Sequence, residues 1–308
     1  MAVILNALLQ DILTTIVILE SIIGSLGNAF MALVNIVDWV KRGKISVVDQ
    51  ILTALAISRT AFLFSSMTSL LMTLLDPASL EMRRLRRMYT ISLTVTNHFS
   101  IWLATCLSIF YFLKIAIFSN SIFLTLKWKA KKVVSVILMV SQIILYINII
   151  VTNIISDRPK VNIPYRFISN NTLRVSGLFL LTNTMFTLIP FTVTLITFLL
   201  LILSLRRHLK NMRHNAKGFQ DVSTAAHIKS LQSVVTFLLL YTIFVMSLLF
   251  QSWNINSQPS KLNFMVFWST AIAFPSGHSC VLILGNTKLR QAFLSMLWWL
   301  RCCKHKCT

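Results

Sequence analysis

Asn97 to Lys132 reads NHFSIWLATCLSIFYFLKIAIFSNSIFLTLKWKAKK, and its reading decides the fold. It opens as an apolar run with a few polar residues set inside it and closes on Tyr111 and Lys114, about one turn apart. A serine-rich turn follows, then Lys127, Lys129, Lys131 and Lys132. An apolar run of about 20 residues spans the hydrocarbon core of a bilayer, and lysines just beyond such a run mark its cytoplasmic end. The stretch predicts a transmembrane helix that enters from outside near Met88 and leaves on the inside near Ile117.

Composition extends that reading to the whole chain. The 308 residues are 56% hydrophobic and 12% charged, with a mean hydropathy of +0.76. A soluble domain carries about 25% charged residues, so a soluble class is excluded. A bilayer admits only helices or a closed barrel. The apolar runs are long and lack the alternation of barrel strands, so the expectation is an all-α membrane protein. The net charge of +21 does not point to nucleic acid, because the basic residues sit in short loops between apolar runs. Membrane lipid headgroups and an acidic partner surface are the expected counterparts.

The apolar runs predict a seven-transmembrane helix bundle, with spans at about 8–37, 47–75, 88–117, 133–155, 176–205, 228–253 and 262–285. A short amphipathic C-terminal helix, 288–300, is expected along the inner membrane surface. No separate soluble domain is left over, so residues 1–308 read as a single domain. No basic n-region precedes Leu8, and Asp11 and Glu20 interrupt the start, so no cleavable signal peptide is expected. Basic residues gather at Lys41–Lys44, Lys127–Lys132, Arg206–Lys229 and Lys288–Lys306, and this bias places the N-terminus outside and the C-terminus inside. The first outer loop, EMRRLRRM, pulls the other way, and the sum decides. The sequon Asn170-Asn171-Thr172 then falls in the second outer loop. Of the five cysteines, Cys106 and Cys280 lie in helices and Cys302, Cys303 and Cys307 in the tail, so none serves an outer-loop disulfide. The tail cysteines, beside Trp298 and Trp299, read either as palmitoylation sites or as free thiols.

Ionisable and polar groups inside membrane helices are costly and tend to have a role. Arg59, within LTALAISRTAFLF, needs an acceptor, and Glu20 is the only carboxylate well inside another span. A Glu20–Arg59 pair is expected, completed by Ser276 or Asn28; it reads as a structural or switching element or as a ligand contact. Asn97 and His98 lie in the outer half of the third span. Phe186, Tyr241, Phe244 and Trp268 fall at matching depth, which suits an aromatic-lined cleft for a small amphipathic ligand or ordinary helix packing. Pro190 and Pro275 break the fifth and seventh spans. His208, His214 and His227 are not at metal-ligand spacing, and neither metal nor cofactor is expected.

Two other classes share features with this sequence. Pro275-Ser276-Gly277-His278 matches one element of membrane lipid phosphatases with a histidine nucleophile, but the lysine-arginine element before it and the serine-arginine element after it are missing. A four-residue match without its partners assembles no active site, so the chain is not expected to be an enzyme. A transporter would show paired broken helices and an internal repeat; the helix count is odd and no repeat is evident.

Several segments together resemble one family, the type 2 taste receptors, which are the bitter taste receptors. They are ESIIGSLGNAF (Glu20–Phe30), LAISR (Leu55–Arg59), HFSIWLATCLSIFYFLKIAIFSNSIFLTLK (His98–Lys127), Pro190, SLRRHLKNM with AKGFQDVSTAAHIKSLQSVVTFLLLY, and PSGHSCVLILGNTKLRQAF. The resemblance implies a G-protein-coupled receptor of the plasma membrane. It would respond to small bitter agonists and couple to a gustducin-type heterotrimeric G protein, with phospholipase C and calcium release downstream. It implies a ligand pocket at Asn97, Phe186, Tyr241, Phe244 and Trp268, with Leu93 standing where many relatives have tryptophan. It further implies that Tyr111, Lys114, His208 and Lys229 face the G protein, that Asn170 is glycosylated, and that Glu20, Asn28, Arg59 and Ser276 form a conformational network. The absence of Asp-Arg-Tyr after the third span and of NPxxY in the seventh is usual in that family.

Overall fold

The computed structural model describes residues 2–75, 82–116, 121–156, 168–215, 222–253 and 261–306. Within them the chain is helical, with no strand: α1 (Ala2–Arg42), α2 (Val47–Leu75), α3 (Arg83–Ile115), α4 (Ser121–Trp128), α5 (Ala130–Ser156), α6 (Ile168–Asn215), α7 (Val222–Trp253), α8 (Lys261–Gly285) and α9 (Thr287–Lys306). Seven of these are long and apolar enough to cross a membrane, namely all but α4 and α9. The protein is a seven-helix membrane bundle with a short C-terminal helix. Helical closure of every backbone hydrogen bond is what lets such apolar runs enter lipid.

The order of packing follows the polar residues. α3 carries the deepest set, and 67% of its membrane window is buried, against 22% for α5. It contacts α2, α5 and α6, while α8 packs on α1 and α7. The main core runs through Ile101, Leu107 and Phe110 of α3 to Phe237 and Tyr241 of α7 and Phe274 of α8. A second cluster joins Val17, Leu63, Met265 and Trp268 between α1, α2 and α8.

Several boundaries differ from the sequence reading. Arg84 to Arg87 begin α3 instead of forming a loop, because arginines tolerate a helical turn at the membrane surface. The serine-rich turn lies mostly at 117–120, outside the described residues, and the stretch after it, expected as loop, forms a short helix, α4. It is fastened by Lys127, whose Nζ donates to the Ala116 carbonyl at 3.2 Å, and by the edge-on Phe112–Phe123 contact at 5.6 Å. A cation on the exposed carbonyls of a helix C-terminus is favourable.

The α1–α2 turn and the α8–α9 junction come together. Gly43 adopts φ 64° and its N–H closes on the Trp39 carbonyl at 2.8 Å, a left-handed cap that favours glycine. Ser46 caps α2, accepting from the Asp49 N–H at 3.1 Å and donating to the Asp49 carboxylate at 2.8 Å. Asn286 caps α9, its Oδ1 accepting from the Lys288 and Leu289 amides. Lys288 then reaches Asp38 at 2.9 Å and Asp49 at 3.3 Å, so one lysine fixes the start of α9 to the ends of α1 and α2.

Candidate functional site

Arg59 is fully buried in α2. Its Nη1 donates to Ser279 Oγ at 3.0 Å and its Nη2 to His278 Nδ1. Guanidinium only donates, so Nδ1 must accept and the imidazole proton lies on Nε2. Ser279 Oγ lies 2.8 Å from Asn28 Oδ1 and 2.7 Å from the Pro275 carbonyl, and Asn28 Nδ2 donates to the Gly24 carbonyl at 2.7 Å. The Phe274 ring sits 6.0 Å from the guanidinium carbon, which adds a cation–π contact. Three helices are thus tied around one cation.

The expected Glu20–Arg59 pair is not formed. Glu20 precedes Asn28 by eight residues, about 12 Å along α1, and it is Asn28 that stands at the depth of Arg59. Glu20 bonds instead to Ser269 on α8, with its Oε2 buried and unpartnered among the described residues. Ser276 is not in the network either. Its Oγ is buried without a partner among the described residues beside Gly24, where an added Cβ would fall on Ser276 and come within 2.9 Å of Leu63 Cδ1. Gly24 therefore lets α1 and α8 touch. The serine that serves is Ser279, one turn further along the same helix. The sequence reading rejected PSGH as a phosphatase element and gave His278 no place in the network.

The expected ligand residues separate into three groups. Asn97 and Phe186 line a cleft between α3, α5 and α6, together with His98, Ile101, Trp102, Asn148, Asn183, Thr187 and Pro190; its enclosed volume is about 10 Å³. That is room for about one water-sized group, far below the about 300–1,000 Å³ of small-molecule sites, so a ligand has to open the cleft to enter it. The His98 ring packs against Phe99 and Trp102, with centroids 6.0 and 5.9 Å away, and its Nε2 is buried with no partner among the described residues. A ring nitrogen without a partner is available to bond a group that enters the cleft.

Tyr241 and Phe244 lie behind the cleft wall and do not line it. Tyr241 is fully buried, and its hydroxyl donates to the Thr187 carbonyl at 3.3 Å. Thr187 is a lining residue three positions before Pro190, where α6 lacks one backbone donor. From there rings continue inward: Tyr241 to Phe274 at 5.1 Å, Phe244 to Phe274 at 5.3 Å, and Phe237 to His278 at 4.3 Å. An unbroken aromatic stack joins the cleft wall to the Arg59 network. Trp268 faces away from both, packing with Val17, Leu63 and Met265, and Leu93 packs on that same cluster. Both residues therefore stand on the α1–α2 side because helix rotation, not depth alone, decides which neighbour a side chain meets.

Tyr111 is half-buried and Lys114 exposed, its Nζ 5.7 Å from the Phe110 ring. His208 lies in α6 and Lys229 in α7, with side chains outside the described set. Asn170 stands in the first turn of α6, not in a loop, again with its side chain undescribed. Cys302 is half-buried on α9, Cys303 follows on the same helix, and Cys307 lies outside the described residues. Among the described residues no cluster of histidine, cysteine or carboxylate groups could hold a metal ion.

Comparison with known proteins bears on this geometry. The family model described as Taste receptor protein (TAS2R) matches residues 5–301. "Taste receptor type 2 member 103" of Mus musculus is 64% identical over 301 residues, covering 98% of this chain and 96% of that protein. The protein of the same name from Rattus norvegicus is 61% identical over 308 residues, 100% of this chain and 98% of its own length. "Taste receptor type 2 member 14" of Papio hamadryas is 52% identical over 303 residues, 96% and 94% of the two chains.

Proposed function

The chain belongs to the type 2 taste receptor family, and from that premise we propose that it is a plasma-membrane receptor that binds small bitter compounds from outside and activates a gustducin-type G protein. Phospholipase C and calcium release follow downstream. The N-terminus is extracellular and the C-terminus cytoplasmic, as the distribution of lysine and arginine supports. Residues 1–308 act as one receptor domain, glycosylated at Asn170 and palmitoylated at the tail cysteines. The observation that carries the reading is the near end-to-end family match laid on a seven-helix membrane bundle.

In this proposal the agonist places a polar head in the cleft at Asn97 and Phe186, and its body opens the space toward Tyr241 and Phe244, while Leu93 and Trp268 act from the α1–α2 side and not by direct contact. A ligand shifts a conformational equilibrium only by its differential affinity for the two states. The element that can report such a difference is the stack from Tyr241 through Phe274 and Phe237 to His278, because it ends on the bonds that hold Arg59. Opening of the cytoplasmic side then presents Tyr111, Lys114, His208 and Lys229 to the G protein. The measurement is intracellular calcium in cells expressing the chain with a gustducin-like G protein, across a panel of bitter compounds. A dose-dependent rise absent from mock cells is expected; silence to the whole panel at full surface density contradicts the reading.

A further inference from the structure

α4 runs on into α5 with its backbone hydrogen bonds kept. The Lys129 N–H donates to the Thr125 carbonyl at 3.1 Å, and the Val133 N–H to the Lys129 carbonyl at 2.9 Å. One face of this path stays on the bundle: Phe123 packs on the core, Lys127 holds the Ala116 carbonyl, and Ala130 and Val134 are buried. The opposite face is open. Along the apolar part of α5 it shows Met139 and Ile143, 71% and 61% exposed, a surface for lipid chains. Two turns before Met139 stands Lys132, and one turn before that Trp128, 88% exposed. Helix spacing puts all four on one stripe. Lys129 and Lys131 flank the stripe, and all three lysines are exposed. The stripe that meets lipid chains therefore ends, at the membrane boundary, on a tryptophan and three cations within about 6 Å of helix rise. No aspartate or glutamate lies between Glu81 and Asp157. Asp38 and Asp49 are bonded to Lys288. Among the described residues Lys129, Lys131 and Lys132 make no ion pair.

We propose that Trp128, Lys129, Lys131 and Lys132 form a binding site for an inner-leaflet lipid whose headgroup carries several phosphates, a phosphoinositide. Its chains lie on the Met139–Ile143 stripe, and the Trp128 ring sits at headgroup level, where tryptophan is favoured. Its phosphates accept from the three ammonium groups. A singly charged headgroup would answer one lysine and leave two; three lysines in about one turn match a polyphosphate. The occupant is a lipid because the cations continue the lipid-facing stripe. The choice of leaflet rests on the orientation proposed above.

The test is native mass spectrometry of the purified full-length chain, titrated with phosphatidylinositol bisphosphate or, at equal total charge, with phosphatidylserine. It needs neither agonist nor G protein, so a negative result bears on the lipid site alone. The parent is expected to retain the bisphosphate in preference to phosphatidylserine. The triple variant Lys129→Gln, Lys131→Gln, Lys132→Gln is expected to lower that retention at least tenfold, since each lysine at a membrane surface contributes roughly a fivefold attraction. The double variant Lys41→Gln, Lys44→Gln, exposed near the inner end of α1, is expected to stay within about twofold of the parent. Equal retention of phosphatidylserine overturns the proposal, as does equal loss in the two variants. Equally tight binding of soluble inositol trisphosphate makes the ligand a free polyphosphate and overturns it too. Unchanged lipid retention in the triple variant overturns it, and a loss of G-protein binding alone assigns the surface to an acidic protein instead. Should the triple variant fail to fold, Trp128→Ala decides: a fall of at least about twofold is expected, and unchanged retention overturns the proposal.

Discussion

Two clusters of buried polar groups occupy one bundle and are finished differently. Around Arg59 the bonds run on to Ser279, Asn28 and His278, and among the described residues the guanidinium Nε is the one atom of that group left without a partner. In the cleft between α3, α5 and α6, His98 keeps one nitrogen open and amides from three helices face the same small space. The residue types are alike, and both are costly inside a membrane. Polar groups that close on one another fix helix positions; polar groups left open are positioned for something that arrives.

That contrast predicts where substitutions hurt. His278→Leu removes one of two acceptors from a buried cation and is expected to have the largest effect. Stranding a buried charge costs about 3–5 kcal/mol, read as a sharp fall in surface density and a lower Tm in detergent. Gly24→Ala comes next. The added methyl meets Ser276 and Leu63, and overpacking costs about 1–3 kcal/mol, again read as surface density. His98→Leu sharpens the contrast from the other side. It removes a group that has no partner to lose, so surface density stays near the parent. An agonist that donates a hydrogen bond there loses about 1–2 kcal/mol, a rise in EC50 of roughly tenfold. Glu20→Gln gives the smallest effect. Its carboxylate does not serve Arg59, so surface density is expected to hold or rise slightly, and a fall as large as that of His278→Leu would return Glu20 to the network.

The bundle was legible because lipid leaves few choices: apolar runs of the right length, ended by lysine and arginine, can only be spans. The participation of Asn28 and Arg59 was legible too, since each is an expensive residue at matching depth. What the sequence did not fix is rotation about each helix axis. Ser276 and Ser279 are three residues apart, and only the packing of α8 on α1 decides that Ser279 meets Asn28 while Ser276 meets Gly24. The same limit moved Trp268 and Leu93 to the α1–α2 side. Asn148 and Asn183 were missed because a lone amide in a membrane helix looks like packing until its neighbours are known. Lys288, Asp38 and Asp49 were missed for another reason: their meeting depends on the turn that Gly43 and Asn286 make.

The most direct test compares His98→Leu and His278→Leu with the parent in one experiment. Calcium responses to a bitter panel are recorded in cells expressing a gustducin-like G protein, and each is normalised to receptor labelled at the surface. The account predicts that His98→Leu reaches the surface normally and responds with reduced potency, while His278→Leu is largely absent from the surface. The reverse pattern, a poorly folded His98→Leu beside a well-expressed His278→Leu, would contradict it.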